Sequence, residues 1–256
     1  MNLNCNLSLG DRLRRNTQRA RVITEAWFEA EGYCLNCSSP KVLPTTAGTI
    51  ARDFVCPVCS QPYELKSAAK AHTRIVQDGG FDSMMRRIRA QEAPALMLMH
   101  YSPQWCVQKL IAIHPVFLTP TVVRKRRKPH IRPRSGQEYW MCDLDLTVIP
   151  PDGKIVIVDT SGVRPETETR REFHESKRFA EIPVSRRGWT ALVLATVRKM
   201  GKAEFTTDDI RAYEEAMHAV YPQNSHVREK VRQQLQILTS LGYLERISRG
   251  EYRVLR

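Results

Sequence analysis

The sequence has no long hydrophobic run. Its most apolar stretches, residues 93–99 and 110–118, are far shorter than the roughly 18 residues that a membrane span requires. Hydrophobic residues at 42% and charged residues at 26% lie near the averages of globular proteins, which excludes collagen-like, disordered and coiled-coil chains. A length of 256 residues predicts one large domain or two unequal ones.

The sequence is also poor in acidic residues, with 27 Asp and Glu against 40 Lys and Arg, which gives a formal net charge of +13. Such a surplus favours a polyanionic partner, and counterion release from phosphates makes nucleic acid the leading candidate. No basic amphipathic anchor is evident, so we expect no membrane partner. At the N-terminus basic residues follow a mildly apolar start, the reverse of a secretory signal, which predicts a cytoplasmic, nucleoid-associated protein. Charge alone leaves DNA and RNA both open.

Seven cysteines in a chain that we expect to stay inside the cell argue against a disulfide framework. Four of them form two Cys-x2-Cys pairs, Cys34 with Cys37 and Cys56 with Cys59. Two such pairs complete a closed tetrahedral zinc site with no open position for a substrate. We therefore predict a structural zinc ion, against the alternative of buried free thiols. The other cysteines lack partners at ligand spacing and are expected to be ordinary thiols: Cys5, Cys106 and Cys142.

Hydrophobic periodicity over the first 184 residues predicts an α/β core. The second cysteine pair is expected at the turn of a hairpin, and the Asp-Gly-Gly at 78–80 is expected to break the chain before a helix. The predicted elements are a helix over 11–31, strands over 49–55 and 62–66, a helix over 81–90, strands over 95–101, 107–118, 144–148 and 154–158, and a connection or peripheral helix over 161–179.

From about residue 185 the pattern predicts a winged helix-turn-helix domain, with helices over 188–199, 206–220 and 225–239 and a hairpin turn at 248–250. The inward apolar face of this region is expected to be complete without the first domain, so that residues from about 185 onward fold alone and prefer methylated GATC duplexes. On the third helix this face is formed by Val227, Val231, Leu235 and Leu238. Its opposite face is polar, which suits DNA reading in the major groove or mere solvation. The candidate DNA-contacting residues in this domain are His226, Arg232, Gln233 and Arg249.

Residues 124–134 carry seven Arg or Lys and no acid, and their prolines predict an exposed loop without regular structure. A block of like charge repels itself unless a polyanion neutralises it, so phosphate contact is favoured over a merely solvated segment. We expect these contacts from Arg124, Lys125, Arg126 and Arg127.

The candidate catalytic group is Asp53 followed by Glu64 and Lys66. Alternation along a strand places Glu64 and Lys66 on one face, and hairpin pairing can bring Asp53 beside them. Phosphodiester hydrolysis needs a divalent cation held by carboxylates and a lysine that orients the attacking water. The alternative for Glu64 and Lys66 is a surface ion pair. Glu25 on the opening helix either faces the same cleft and orients water or is solvated.

Several segments resemble the DpnI family of methyl-directed restriction endonucleases, in order along the whole chain: ITEAWF (23–28), YCLNC (33–37), ARDFVCPVC (51–59), YELKS (63–67), DGGFDSMMRRI (78–88), VSRRGWT (184–190), EFTTDDI (204–210), HVREKVRQQLQIL (226–238) and RGEYR (249–253). The resemblance implies a PD-(D/E)xK nuclease domain over 1–184 with a zinc site, and a winged-helix domain over 185–256. It also implies magnesium-dependent cleavage of double-stranded DNA at GATC sites whose adenine is N6-methylated.

The resemblance further implies Asp53, Glu64 and Lys66 as the catalytic set, with Asp53, Glu64 and Leu65 as magnesium ligands in a bacterial, monomeric enzyme. Arg52 stands where the motif has its proline. Trp140 is the candidate for an apolar pocket that accepts the adenine methyl group, against the alternative of a core tryptophan. Two rival functions are a non-catalytic zinc-containing DNA-binding regulator and an RNA-binding protein.

Overall fold

The computed structural model describes residues 1–46, 53–72 and 74–255. The α-helices in this part of the chain are α1 Asn16–Glu31, α2 Phe81–Ala90, α3 Glu166–Ser176, α4 Val184–Met200, α5 Thr207–Arg211, α6 Glu214–Val220 and α7 Val227–Ser240. The strands are β1 Leu43–Pro44, β2 Phe54–Val55, β3 Pro62–Ala68, β4 Ile75–Gly80, β5 Ala95–Tyr101, β6 Val107–Ile113, β7 Val123–Lys125, β8 His130–Ile131, β9 Glu138–Tyr139, β10 Met141–Asp145, β11 Lys154–Asp159, β12 Gly162–Val163, β13 Glu204–Thr206, β14 Leu244–Ser248 and β15 Glu251–Val254.

The largest sheet has seven strands in the order β1-β2-β3-β5-β6-β11-β12. Only β3 and β5 pair in parallel among these strands, with Tyr63 opposite Ala95 and Lys66 opposite Leu98. A parallel pair needs a long crossover, and β4 with α2 supplies it. The α/β core expected from the sequence is confirmed.

Strand β5 separates two hydrophobic cores. Leu96 and Leu98 point into one core together with α2 and α4. Ala95, Met97 and Met99 point into the other, which contains residues of α1 and α3. A strand buried on both faces explains why its sequence is a continuous apolar run rather than an alternating one.

Helix α1 begins at Asn16, five residues later than predicted, and a 3₁₀ turn over Leu7–Gly10 precedes it. The predicted helix at Phe81–Ala90 is confirmed. Strand β6 is shorter than predicted, because it ends at Ile113, before a 3₁₀ turn that starts at Pro115. Strand β10 is shifted toward the N-terminus, since it begins at Met141 and ends at Asp145. Residues 49–52 of the predicted hairpin strand lie outside the described residues, whereas the pairing of Phe54 with Tyr63 is confirmed.

Two segments have more regular structure than the sequence suggested. The basic stretch was predicted to have none, yet β7 pairs with β10, and β8 forms a hairpin with β9. The prediction is wrong because Pro129 and Pro133 lie just outside these short strands, where they remove no ladder hydrogen bond. The Asp-Gly-Gly at 78–80 does not break the chain either, because it completes β4 in a second sheet ordered β4-β10-β7.

The C-terminal region contains the expected three helical segments and a three-stranded sheet ordered β13-β15-β14. Its first helix starts at Val184 rather than Gly188, and the predicted second helix is divided into α5 and α6. Helix α4 is buried nearly all round, and its Trp189 and Val193 belong to the same core as Leu96 of the central sheet. The expectation that this region's apolar face is complete by itself is therefore wrong.

No helix in the described ranges is long and apolar enough to cross a membrane.

Candidate functional site

The four cysteines of the two Cys-x2-Cys pairs come together in the structure. Their sulfur atoms all lie within 4.8 Å of one another, with 3.6 Å between Cys34 and Cys59 and between Cys37 and Cys56. A tetrahedral zinc ion with Zn–S bonds of about 2.3 Å separates its sulfurs by roughly 3.8 Å. The spacing and the donor set therefore fit a structural zinc ion.

Neighbouring groups hold this cluster in place. The Tyr63 hydroxyl donates a hydrogen bond to the Cys34 sulfur and accepts one from the Leu35 amide. Burial raises the pKa of the Cys34 thiol to about 12. Burial acts in the same direction on Cys56, but the backbone N–H groups of Cys59 and Val58 outweigh it and lower the pKa of Cys56 to about 6. Cys56 is thus more readily ionised than Cys34.

Helix α3 buttresses the first cysteine pair, which the sequence did not indicate. Arg170 donates to the Cys34 carbonyl oxygen at 2.9 Å, and a ring nitrogen of His174 lies 3.0 Å from the Asn36 carbonyl oxygen. The segment was expected to be a connection or peripheral helix, but its Phe173 is fully buried in the second core. The apolar position at 173 was the one available signal.

The β2–β3 hairpin brings Asp53 beside β3, as the alternation argument required. The Asp53 amide donates to the Tyr63 carbonyl at 3.0 Å, and the Asp53 carboxylate accepts from the Leu65 amide at 2.8 Å. Tyr63 thus contacts Asp53 through its backbone and Cys34 through its hydroxyl. The cysteine cluster and the carboxylate are joined by one residue.

Glu64 and Lys66 form an ion pair, but not at the surface. The Lys66 ammonium lies 2.6 Å from a Glu64 oxygen and 2.6 Å from an oxygen of Asp78 on β4. The Glu64 and Asp78 side chains are only 8% and 2% exposed. Asp78 was missed because its sequence context, followed by two glycines, is typical of a turn.

Two carboxylates and one ammonium leave a buried excess of negative charge. Burial disfavours the ammonium of Lys66, yet the adjacent carboxylates outweigh it and place the pKa of Lys66 above its ordinary value. Burial raises the pKa of Glu64, and the positive charge of Lys66 opposes this shift. Glu64 Oε2 and Asp78 Oδ2 are buried without a hydrogen-bond partner among the described residues. Unsatisfied carboxylate oxygens of this kind fit a hard divalent cation such as Mg²⁺.

These side chains line an open cleft of about 650 Å³. Glu25 borders the cleft, which agrees with the expectation that it faces the same cleft as Asp53 rather than solvent alone. Its carboxylate accepts a hydrogen bond of 2.6 Å from Arg21. The β8–β9 hairpin contributes Arg132 and Tyr139, with the guanidinium 5.5 Å from the ring centre. The sequence analysis had not singled out Arg132, although it belongs to the basic stretch.

Trp140 follows directly on the cleft residue Tyr139. Its side chain is half-buried and belongs to neither hydrophobic core found among the described residues, which disfavours a core tryptophan. The Lys125 ammonium lies 3.9 Å from the Trp140 ring centre and 5.4 Å from that of Phe81. One face of the indole is therefore covered by a cationic side chain rather than by packed apolar groups.

Three of the four basic side chains predicted to contact phosphates already interact with other side chains of the protein. Arg124 pairs with the buried Asp145, and Arg126 pairs with Asp143 at 2.7 Å. Lys125 covers Trp140 as described. Arg127 is the exception, because it forms no ion pair with any residue that the structure describes. Cross-strand pairing of β7 with β10 places these opposite charges together.

Arg232 and Gln233, both proposed to contact DNA, are exposed on helix α7, and His226 is exposed directly before its first residue. Lys230 donates to the Gln233 side-chain oxygen at 3.0 Å. Arg249 is exposed at the turn between β14 and β15. Gln234 was not anticipated: it is fully buried and accepts a hydrogen bond of 2.7 Å from Thr190 of α4. Gln234 joins the two helices, whereas Arg232 and Gln233 remain available to a ligand.

The structure thus defines a two-domain protein with an α/β core, a four-cysteine cluster, an acidic cleft containing a lysine, and a C-terminal helix-turn-helix domain. Residues 1–182 match the family model DpnI, described as the Dam-replacing family, and residues 185–254 match the Dam-replacing HTH domain. The chain belongs to the DpnI, or Dam-replacing, family. This membership confirms the resemblance seen in the sequence and supports a methyl-dependent restriction function.

Proposed function

We propose that this protein is a magnesium-dependent restriction endonuclease that cleaves double-stranded DNA at GATC sites containing N6-methyladenine. The observation that carries this proposal is the half-buried Lys66 ammonium held between two carboxylates, beside Asp53, in a cleft of a DpnI-family chain. In this proposal residues 1–184 form a nuclease domain of the PD-(D/E)xK type and residues 185–256 a winged-helix reader. The enzyme acts as a monomer in the bacterial cytoplasm.

The proposed magnesium ligands are Asp53, Glu64 and the backbone oxygen of Leu65. When bound there, Mg²⁺ would activate the attacking water and neutralise charge that develops on the phosphate. The Leu65 amide fixes the Asp53 carboxylate at 2.8 Å, so the hairpin supplies an oriented ligand before DNA arrives. A ligand oriented in advance lowers the reorganisation needed during the reaction.

The other cleft residues bind and orient the substrate. Lys66 stays protonated and stabilises negative charge at the scissile phosphate. Arg132 extends into the cleft from the β8–β9 hairpin and is suited to an adjacent phosphate oxygen. The proposed role of Glu25 is to orient water, and the hydrogen bond from Arg21 to its carboxylate supports a fixed orientation. Arg127 contributes a further phosphate contact from the exposed part of the basic stretch.

Methyl recognition is proposed to involve Trp140, whose indole face becomes available when Lys125 turns toward a DNA phosphate. One methyl group contributes about 1 kcal/mol when it is buried, so a single apolar contact discriminates poorly. Two adenines in a palindromic site and a second reader multiply the preference. In the winged-helix domain, Gln233 suits an adenine edge and Arg232 a guanine edge.

Cleavage of short duplexes with one central GATC tests the proposal. We expect the fully N6-methylated duplex to be cut in Mg²⁺ and to remain intact in EDTA, and the unmethylated duplex to be cut at least tenfold more slowly. Binding without cleavage would indicate the zinc-containing DNA-binding regulator instead. Stronger binding to structured RNA than to methylated duplex DNA would favour the RNA-binding alternative.

A further inference from the structure

Asp78 reaches the cleft from a different sheet than Glu64 and Lys66. It lies on β4 of the three-stranded sheet, whereas Glu64 and Lys66 lie on β3 of the seven-stranded sheet. Its carboxylate nevertheless accepts a hydrogen bond of 2.6 Å from the Lys66 ammonium. The ion pair therefore bridges the two sheets inside the cleft.

The Lys66 ammonium has two equivalent partners, each at 2.6 Å. A buried ammonium that loses all its carboxylate partners is strongly disfavoured, because desolvation is then uncompensated. Under the function proposed above, Glu64 offers its free oxygen, Oε2, to a divalent cation, and the charge of this cation repels the ammonium. Asp78 is the one other carboxylate that the described residues place within ion-pair distance of Lys66.

We propose that Asp78 is a positioning residue that retains the Lys66 ammonium in the cleft when Glu64 engages the divalent cation. This inference rests on the proposed nuclease function and names a residue that the sequence pattern did not include. Asp78 acts through Lys66 and does not itself touch the substrate. Its free oxygen, Oδ2, also adds negative charge that attracts the cation.

The competing explanation is purely structural, with Asp78 serving only to tie β4 to β3. The two explanations differ in what removal of the charge changes. In Asp78→Asn the side chain keeps its shape and one acceptor oxygen but loses its charge. Lys66 would then remain on Glu64 and compete with the cation. A structural tie predicts lower thermal stability, with unchanged cation affinity and unchanged cleavage in the folded protein.

The experiment compares the full-length wild type with Asp78→Asn, and uses Asp82→Asn as a charge-matched control, because Asp82 is exposed on α2. The binding of Mg²⁺ is measured by calorimetric titration in the absence of DNA. We expect Asp78→Asn to bind Mg²⁺ about tenfold more weakly than the wild type, and Asp82→Asn to bind it as tightly as the wild type. Single-turnover cleavage at saturating Mg²⁺ is expected to be about ten- to hundredfold slower, with unchanged affinity for the methylated duplex.

Wild-type Mg²⁺ affinity in Asp78→Asn would overturn the inference, as would a wild-type cleavage rate at saturating Mg²⁺. A lower unfolding temperature as the sole change would establish the structural tie instead. If the wild type itself cuts no methylated DNA, the proposed function fails. The Mg²⁺ titration still decides the role of Asp78 in that case, since it needs no substrate.

Discussion

The acidic cleft around Lys66 and the outer face of helix α7 differ in how their charged groups are paired. In the cleft, Lys66 is paired with Glu64 and Asp78, and all three are largely removed from solvent. On α7, Arg232 and Gln233 are exposed, and the arginine has no ion pair within the described ranges. A buried charge is strongly disfavoured unless it is paired. An exposed, unpaired side chain can stay solvated and becomes ordered when a ligand binds.

Mutations on the two surfaces should therefore change two different measured quantities, the rate of cleavage and the affinity for DNA. Changes in the cleft remove interactions that are already in place and should lower the rate of the chemical step. Changes on α7 remove interactions that form only on binding and should lower affinity.

The largest effect is expected for Asp53→Asn. The amide keeps an acceptor for the Leu65 N–H but loses the charge proposed to hold the metal, so single-turnover cleavage should fall by at least about a thousandfold. Affinity for the methylated duplex should stay within about threefold of wild type. Asp208→Asn, which changes an exposed acid outside the cleft, is the matched control. A wild-type rate in Asp53→Asn would remove this residue from the proposed site.

Cys34→Ser should have the next largest effect, on stability rather than on a single rate. Loss of one zinc ligand should abolish metal binding and lower the free energy of unfolding by more than about 4 kcal/mol. Tyr63 links the cluster to Asp53, so the hairpin register should be lost as well. Metal analysis together with denaturant unfolding measures both effects, with Cys106→Ser as the control. Active protein that contains no zinc would contradict this prediction.

Gly188→Ala tests whether the two regions are stabilised as one body. A Cβ atom at this position of α4 would clash with the hydroxyl groups of Thr121 and Tyr221, which join the first region to the second. We expect a loss of about 1–3 kcal/mol and a single thermal transition. Gly79→Ala is the control, because its Cβ would meet no atom within 4 Å. Unchanged stability, or two separate transitions, would show that the regions fold independently.

Arg232→Ala is expected to have the smallest effect, about 1–3 kcal/mol of binding free energy, or roughly a five- to 150-fold loss of affinity. The residue is exposed and forms no ion pair among the residues described, so folding should be unaffected. Fluorescence titration at fixed salt measures the loss, and Arg211→Ala on α5 serves as the control. Equal losses in both variants would indicate general electrostatic attraction rather than reading by α7.

Local sequence patterns were sufficient for the elements and groups that depend on spacing. The two Cys-x2-Cys pairs, the helix at Phe81–Ala90 and the approach of Asp53 to β3 all follow from short-range periodicity and hairpin pairing. The family resemblance, carried by motifs along the whole chain, was confirmed by the two matching family models.

The features that the sequence did not indicate depend on long-range packing. Asp78 meets Lys66 only because two different sheets come together at the cleft. Arg170 reaches the Cys34 carbonyl from a helix more than 100 residues away in the chain. Gln234 is buried because α4 packs on α7, although its neighbours suggest an exposed polar face. No local pattern contains these contacts.

Cleavage measured as a function of protein concentration on one methylated duplex distinguishes a role of the cleft in the chemistry from a role of α7 in affinity. Arg232→Ala should reach the wild-type single-turnover rate once enough protein is added, whereas Asp53→Asn should remain at least about a thousandfold slower at any concentration. A slow rate of Arg232→Ala at saturating protein, or a wild-type rate of Asp53→Asn, would contradict this division of roles between the cleft and α7.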